Sequence, residues 1–216
     1  SSGRIYRMHA KDAKPIKPFD LKKYSNTELV MELANPNKWF RQTAQRLLAD
    51  RRDPQIVPTL KGLVKANGDQ LALEAFWAIN HSGGFTPEYA HETLKHPHPY
   101  VRFWTIRLLG DSHLMNANLR AQLTALAGSE GNVEVRSCLA ASCKRWPAKD
   151  SFPILAQLIR REEDVNDKHI PLLLWWALED KSTSDLTELI KLLRDQELWK
   201  TPMMQQHLLP RIAQRY

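Results

Sequence analysis

Five histidines lie in the middle third of this 216-residue chain, and imidazole is the side chain most often used for metal binding and proton transfer near neutral pH. They are His81, His91, His96, His98 and His113. His96 and His98 are close neighbours, but Pro97 and Pro99 beside them are typical of a turn. A zinc site needs three or four converging ligands at settled spacing. We therefore interpret this segment as an ordinary turn and predict no metal site.

The other reactive side chains form no catalytic motif. Glu163, Asp164 and Asp167 precede a helix-like segment, where acidic side chains stabilise the helix N-terminus. Cys138 and Cys143 face different sides of one predicted helix, so no disulfide between them is expected. The chain contains no phosphate-binding glycine loop, no nucleophile elbow and no Cys-x-x-Cys-His haem motif. The sequence therefore predicts no catalytic residue and no cofactor.

The positive charge of the chain is concentrated near its N-terminus. The net charge is +7, and residues 4–23 contain seven basic and two acidic residues. The rest of the chain contains 24 basic and 22 acidic residues. A helical array that wraps nucleic acid needs a basic stripe along its body, so nucleic acid is not the expected partner. No apolar run approaches the roughly 18 residues that span a bilayer, and no membrane insertion is expected.

A local pattern recurs along the chain and predicts the architecture. Arg41, Arg102 and Arg136 follow an apolar residue near the start of a predicted helix, and they are separated by 61 and 34 residues. A period in the low thirties with two helices per unit is the signature of an α-solenoid. We predict an all-α fold of about six helix pairs, and second helices near 38–51, 69–81, 99–110, 131–145, 167–180 and 202–214.

Capping residues predict where the first helix of each pair begins. Ser25 and Glu28 form a capping box. Asp53 and Thr86, each followed by proline, are 33 residues apart, as are Ser151 and Ser184. A further start is expected near residues 116–118, roughly midway between Thr86 and Ser151.

The first 24 residues differ from the rest. Residues 3–8 have the alternation and the β-branched and aromatic content of a short strand, and residues 11–23 carry lysines and two prolines that favour an extended linker. A single strand is not stable alone. We therefore predict that residues 1–24 are an extended strand and linker from a preceding domain, that residues 25–216 are the repeat domain, and that the chain belongs to a larger polypeptide.

The repeat pattern resembles HEAT repeats, which form right-handed superhelices. The resemblance is carried by Val101-Arg102 and Val135-Arg136 on second helices, with Phe40-Arg41 similar to them. In HEAT-like arrays this arginine pairs with an acidic or carbonyl group of a neighbouring repeat, which is the structural role expected for Arg41, Arg102 and Arg136. The alternative is a row of anion-binding guanidinium groups along one edge.

Four tryptophans of the predicted second helices are candidates for partner binding. They are Trp77, Trp104, Trp175 and Trp176. Second helices line the concave side of HEAT-type superhelices, so these rings either fill the space between repeats or form an aromatic groove for a partner. Trp175 and Trp176 cannot both point inward, because neighbouring helical positions diverge by about 100°.

Several segments together resemble a more specific family, the bacterial membrane-bound-dehydrogenase-type proteins. They are Gly3 to Arg7, the lysine- and proline-rich linker, Asn35 to Leu48, and His169 to Leu178. In that family a sorbosone/glucose-dehydrogenase-like propeller precedes a HEAT region, and a cytochrome c domain often follows. The resemblance implies an extracytoplasmic, redox-linked parent protein, in which residues 3–8 close the last propeller blade.

The expected function is therefore a non-catalytic scaffold that binds other domains of the same polypeptide or a protein partner. The alternative is a DNA-binding enzyme, because residues 39–44 are reminiscent of HEAT-like alkylpurine DNA glycosylases. The near-neutral charge of the helical body argues against that alternative.

Overall fold

The fold is all-α and solenoid-like, as predicted. The computed structural model describes residues 3, 6, 8, 10–12 and 18–215. The described residues form thirteen α-helices with short 3-10 and π-helical turns, and they contain no strand. Helices are paired along the chain, and neighbouring pairs pack side by side.

The six pairs lie close to the predicted positions. They are α1 (Asn26–Glu32) with α2 (Lys38–Arg51), α3 (Val57–Ala66) with α4 (Gln70–His81), α5 (Pro87–Thr93) with α6 (Pro99–Ser112), α7 (Ala117–Ser129) with α8 (Val133–Cys143), α9 (Ala148–Ile159) with α10 (Ile170–Ser184), and α11 (Leu186–Leu193) plus α12 (Gln196–Trp199) with a last helix whose π-helical turn (Met204–Leu208) leads into α13 (Leu209–Arg215). Additional 3-10 turns lie at Leu21–Lys23, Pro54–Ile56 and Glu162–Asp164.

Side-chain caps explain most of the helix starts. The Ser25–Glu28 capping box forms, with the Glu28 N–H donating to Ser25 Oγ and the Ser25 N–H donating to Glu28 Oε2. Thr86 caps α5, and Asn116 caps α7 within the predicted interval. Each cap satisfies an N–H group that has no partner inside the helix.

The two serine starts are wrong. Helix α9 begins at Ala148, directly after Pro147, so Ser151 lies one turn inside it and its hydroxyl donates to the Pro147 carbonyl. Helix α11 is capped by Asp185, whose carboxylate accepts from the Glu188 N–H, and Ser184 is the last residue of α10. Asp185 is a preferred capping residue and takes the place of Ser184, whereas α9 starts after Pro147 with no side-chain cap.

The pairs stack in two layers. In one layer the second helices follow one another, with α2 against α4, α4 against α6, α6 against α8, and α8 against α10. In the other layer α5 packs against α7, α7 against α9, and α9 against α11. Helices α3 and α5 are packed more loosely against each other than these neighbours are.

The buried apolar side chains form two clusters that meet at the third pair. One cluster contains Phe76, Tyr89 and Val101, and the other contains Ala90 and Trp146. No single pair could bury this much apolar surface alone, so the stacking of neighbours supplies the core.

The described part of the N-terminal segment packs on the first pair. Leu21 is buried, and the Arg51 guanidinium donates to the carbonyls of Lys22 and Tyr24 at 2.9 and 2.8 Å. Of the strand predicted at residues 3–8, only residues 3, 6 and 8 are described, and none of them is in a strand. The other residues of that segment, and residues 13–17 of the predicted linker, lie outside the described residues.

None of the helices formed by residues 18–215 has both the length and the apolar composition that crossing a bilayer requires.

Candidate binding surface on the second helices

The three recurring arginines occupy one helical position and make one set of contacts. Arg41, Arg102 and Arg136 are each the fourth residue of their helix, α2, α6 and α8 respectively. Each side chain turns back over the helix N-terminus, where Nη1 donates to the carbonyl six residues earlier at 2.8, 2.8 and 3.0 Å. The guanidinium therefore fixes the loop that precedes its own helix.

Each arginine also contacts a carboxylate from the next helix pair. Arg41 Nε lies 2.9 Å from Glu74 Oε1. Arg102 binds Glu130 through two parallel hydrogen bonds of 2.8 and 2.6 Å. Arg136 binds Asp164 in the same two-point way at 2.6 and 2.5 Å. These charges are paired inside the fold, so they do not form a free row for binding anions.

In two of these ion pairs, one partner shifts the pKa of the other so that its charged form is favoured. Burial alone would raise the pKa of the Glu130 carboxyl, but hydrogen bonds from Arg102 and from the Asn132 N–H outweigh it and hold that pKa below its ordinary value. The hydrogen bonds to Asp164 hold the pKa of Arg136 above its ordinary value despite burial. Both groups are therefore charged at neutral pH.

Glu130 connects more than one helix pair. Its carboxylate binds Arg102, while its backbone carbonyl accepts hydrogen bonds from Arg136 at 3.0 Å and from Arg161 at 2.8 Å. Leucines replace the arginine in the other two regular second helices, at Leu73 in α4 and Leu173 in α10. Arginine contacts of this kind therefore occur at three of the junctions between helix pairs.

Trp77 and Trp104 are in contact across α4 and α6. Their ring centroids are 5.3 Å apart and the planes are nearly perpendicular. Both side chains are half-buried, and the Trp77 indole N–H has no hydrogen-bond partner among the described residues. The edge-to-face geometry is favourable for aromatic pairs.

Two more rings extend this contact along α6. Phe103 lies 6.0 Å from Trp104, and Tyr100 lies 6.4 Å from Phe103, measured between ring centroids. Tyr100 has 46% of its surface exposed. We call the four rings of Trp77, Trp104, Phe103 and Tyr100 the aromatic surface.

The other two candidate tryptophans lie apart from the aromatic surface, on α10. Trp176 is 43% exposed, whereas Trp175 is half-buried and packs against the apolar core, as Trp77 and Trp104 also do. The structure therefore brings Trp77 and Trp104 together and leaves Trp176 as a separate exposed ring on the same layer of helices.

A second aromatic group, at the start of α2, was not predicted from the sequence. Phe19, Trp39 and Phe40 are in mutual contact, with centroids 5.0–5.8 Å apart, and Trp39 is 53% exposed. A signal was present, because Trp39 and Tyr100 are each the second residue of a helix and are separated by the same 61 residues as Arg41 and Arg102.

Among residues 18–215, the histidines and carboxylates do not converge on one site. In the part of the chain that the structure describes, no group of three or more His, Cys, Asp or Glu side chains could hold a metal ion. His96 uses both ring nitrogens, with Nδ1 accepting from the His98 N–H at 3.1 Å and Nε2 lying 3.0 Å from the Val64 carbonyl. Asp167 caps α10 by accepting from the N–H groups of His169 and Ile170 at 2.8 Å each.

No protein-family model, no curated protein and no solved structure matches this chain.

Proposed function

We propose that this chain is a non-catalytic α-solenoid module of the HEAT type that binds a protein partner through the aromatic surface. The supporting observation is the group of four neighbouring aromatic rings on α4 and α6, in which Tyr100 is 46% exposed and the other three are half-buried with one side against the core. Aromatic side chains supply large contact areas at a small entropic cost and often dominate binding energy. Trp176, which is 43% exposed on α10, is a second and separate candidate contact on the same layer of helices.

The partner proposed first is another domain of the same polypeptide. The sequence resemblance to membrane-bound-dehydrogenase-type proteins supports a propeller before this module, a cytochrome c domain after it, and an extracytoplasmic location. In such a protein the module would hold an electron donor and an electron acceptor at a fixed separation. A separate protein partner is the second possibility for the same surface.

Site-specific photo-crosslinking in the natural host tests this proposal. A benzoylphenylalanine placed at Tyr100 or Trp176 is expected to form crosslinks with another domain or another protein, identified by mass spectrometry. The matched control places the same probe at Lys149 or Thr187, which are exposed on first helices. Equal yields from both layers, or no crosslink from the second helices, would contradict the proposal.

The DNA-binding alternative predicts a different result. A gel-shift titration with duplex DNA at two salt concentrations would show micromolar, steeply salt-dependent binding that survives deletion of residues 1–24. We propose the interaction module in preference because Arg41, in the segment that suggested the alternative, has its guanidinium occupied by Glu74 and two backbone carbonyls.

A further inference from the structure

A cleft of about 640 Å³ separates α3 from α5 on the layer of first helices. Lys61, Gly62 and Lys65 line it from α3, Tyr89 lines it from α5, and Lys95 lies at its edge. Its volume is within the range of small-molecule sites, which run from about 300 to 1,000 Å³. It lies where the packing of neighbouring first helices is looser than in the pairs that follow.

Among the described residues, the three lysines of the cleft make no close ion pair with a carboxylate, and Lys61 interacts electrostatically with Glu88. Lys61, Lys65 and Lys95 differ in this from Lys181, Lys191 and Lys200, which each form an ion pair. Lys61 Nζ lies 4.5 Å above the centre of the Tyr89 ring, and Lys95 Nζ lies 3.4 Å from His91 Nε2. Glu92 is the acidic residue of the lining, so the charge of the cleft is positive.

Gly62 is unusual because it lies inside α3 with no structural need for a glycine. Its backbone does not have a positive φ, and a Cβ added there would meet no atom within 4 Å. Glycine in a helix interior costs about 0.5–1 kcal/mol relative to alanine. What Gly62 provides is open space along the helix backbone, at the point where the helix forms the wall of the cleft.

The remaining walls combine apolar and polar groups. Val64, Thr93 and Pro97 line the cleft beside the Tyr89 ring, and the Tyr89 hydroxyl has no hydrogen-bond partner among the described residues. His96 has both ring nitrogens engaged, so it fixes the rim of the cleft and offers no free donor. An apolar wall beside several cations that form no close ion pair suits a ligand that carries multiple negative charges on a compact organic frame.

We propose that the cleft between α3 and α5 binds an organic polyanion, bearing phosphate or carboxylate groups that Lys61, Lys65 and Lys95 contact. This site lies on the first helices and is separate from the aromatic surface on the second helices. A test of this site is therefore independent of a test of the proposed protein interaction.

Calorimetric titration of the full chain with three probes tests the site. ATP, tripolyphosphate and citrate are titrated at about 50 mM salt, and at least one is expected to bind with a Kd below about 1 mM, which corresponds to about −4 kcal/mol. Binding of all three identifies multiple charge as the feature recognised. Binding of the two phosphates alone identifies phosphate, binding of citrate alone identifies carboxylate, and binding of ATP alone shows that the planar base is needed as well.

Two variants locate the binding. The double substitution Lys61→Ala/Lys65→Ala is expected to weaken the affinity at least tenfold, and Gly62→Leu is expected to abolish binding by filling the cleft while the chain stays folded. The matched control Lys144→Ala/Lys168→Ala removes two exposed lysines elsewhere and should leave the affinity unchanged. No binding of any probe, or undiminished binding by both cleft variants, would overturn the proposal.

Discussion

Arg136 and Asp164 form a two-point ion pair that is almost completely removed from solvent. The two hydrogen bonds measure 2.6 and 2.5 Å, and the exposed fractions of the two side chains are 6% and 1%. The pair joins α8 to the 3-10 turn that precedes α10. Because neither charge can be rehydrated without opening the fold, each depends on the other.

Removing one partner of this pair should be strongly destabilising. Asp164→Ala is expected to lower the free energy of unfolding by about 3–5 kcal/mol, because it leaves the Arg136 charge buried and unpaired. Urea denaturation measures the change. The control is Asp111→Ala, which breaks the exposed contacts with Arg107 and Arg145 and should cost less than about 1 kcal/mol. Equal effects of the two substitutions would show that the Arg136 pair has no special role.

At acidic pH, the free energy of unfolding should depend on the protonation of the Glu130 carboxylate. The pKa of Glu130 in the folded state is lower than its ordinary value of 4.5, so the folded state binds fewer protons than the unfolded state. The stabilisation is complete above that ordinary value and is lost as the pH falls through the lower folded-state value. Urea unfolding between pH 6 and pH 3 should therefore show a shallower loss of stability for Glu130→Gln than for the wild type.

The control for this pH dependence is Glu134→Gln, which changes an exposed carboxyl on α8 that has no arginine partner among the described residues. An equal change in the pH dependence of stability for this variant would show that the effect does not depend on the Glu130–Arg102 pair. Asp167 and Glu163 also have lowered pKa values, so some acid sensitivity should remain in Glu130→Gln.

Two glycine-to-alanine substitutions should change stability in opposite directions. Gly62→Ala should stabilise the chain by about 0.5–1 kcal/mol, because the new methyl group meets no atom and the helix gains propensity. Gly84→Ala should destabilise it by about 1–3 kcal/mol, since the added Cβ would lie 2.7 Å from Val57 Cγ1 and 3.0 Å from Ile79 Cγ2. Thermal unfolding followed by circular dichroism measures both, and a lower melting temperature for Gly62→Ala would contradict the assignment of Gly62 to an open cleft.

Substitution of a core tryptophan should cost more folding free energy than substitution of a surface tryptophan. Trp146 is 0% exposed, and its indole N–H donates to the Leu109 carbonyl at 3.2 Å. Trp146→Ala should therefore cost about 3–5 kcal/mol of folding free energy. Trp176→Ala removes a ring that is 43% exposed and should cost less than about 2 kcal/mol, as measured by chemical denaturation.

The two cysteines should be unreactive in the folded protein. Burial raises the pKa of Cys138 to about 12 and raises that of Cys143 further. Since the thiolate is the reactive form, a thiol reagent at pH 8 should modify neither residue until denaturant is added. Rapid labelling of the native chain would show that the helices around α8 open readily.

The regular part of the fold was accessible from the sequence because its signals are local. Apolar spacing and the repeated arginine placed α2 almost to the residue, and Asn116 marked the start of α7 inside the expected interval. The errors at Ser151 and Ser184 have different causes: Asp185 caps α11 in place of Ser184, whereas α9 begins directly after Pro147 with no side-chain cap. Helix ends depend on such competition between neighbours, which spacing alone does not resolve.

The partners across helix pairs could not be predicted because they depend on packing. Glu74, Glu130 and Asp164 lie 33, 28 and 28 residues after their arginines, in a helix, a loop and a 3-10 turn respectively. No fixed offset identifies them in the sequence. The cleft at Gly62 could not be predicted for a similar reason, because the sequence of neither helix alone indicates that α3 and α5 pack loosely against each other.

The position of Glu130 has a consequence for how the molecule responds to mechanical load. One residue binds arginines from three successive helix pairs, through its carboxylate on one side and its carbonyl on the other. A stretching force that separates the third pair from the fourth must break the Arg102 contact, and one that separates the fourth pair from the fifth must break the Arg161 contact. Both neighbours of the fourth pair are therefore tied to the same short loop, and Glu130→Gly should lower the force at which the middle of the array comes apart.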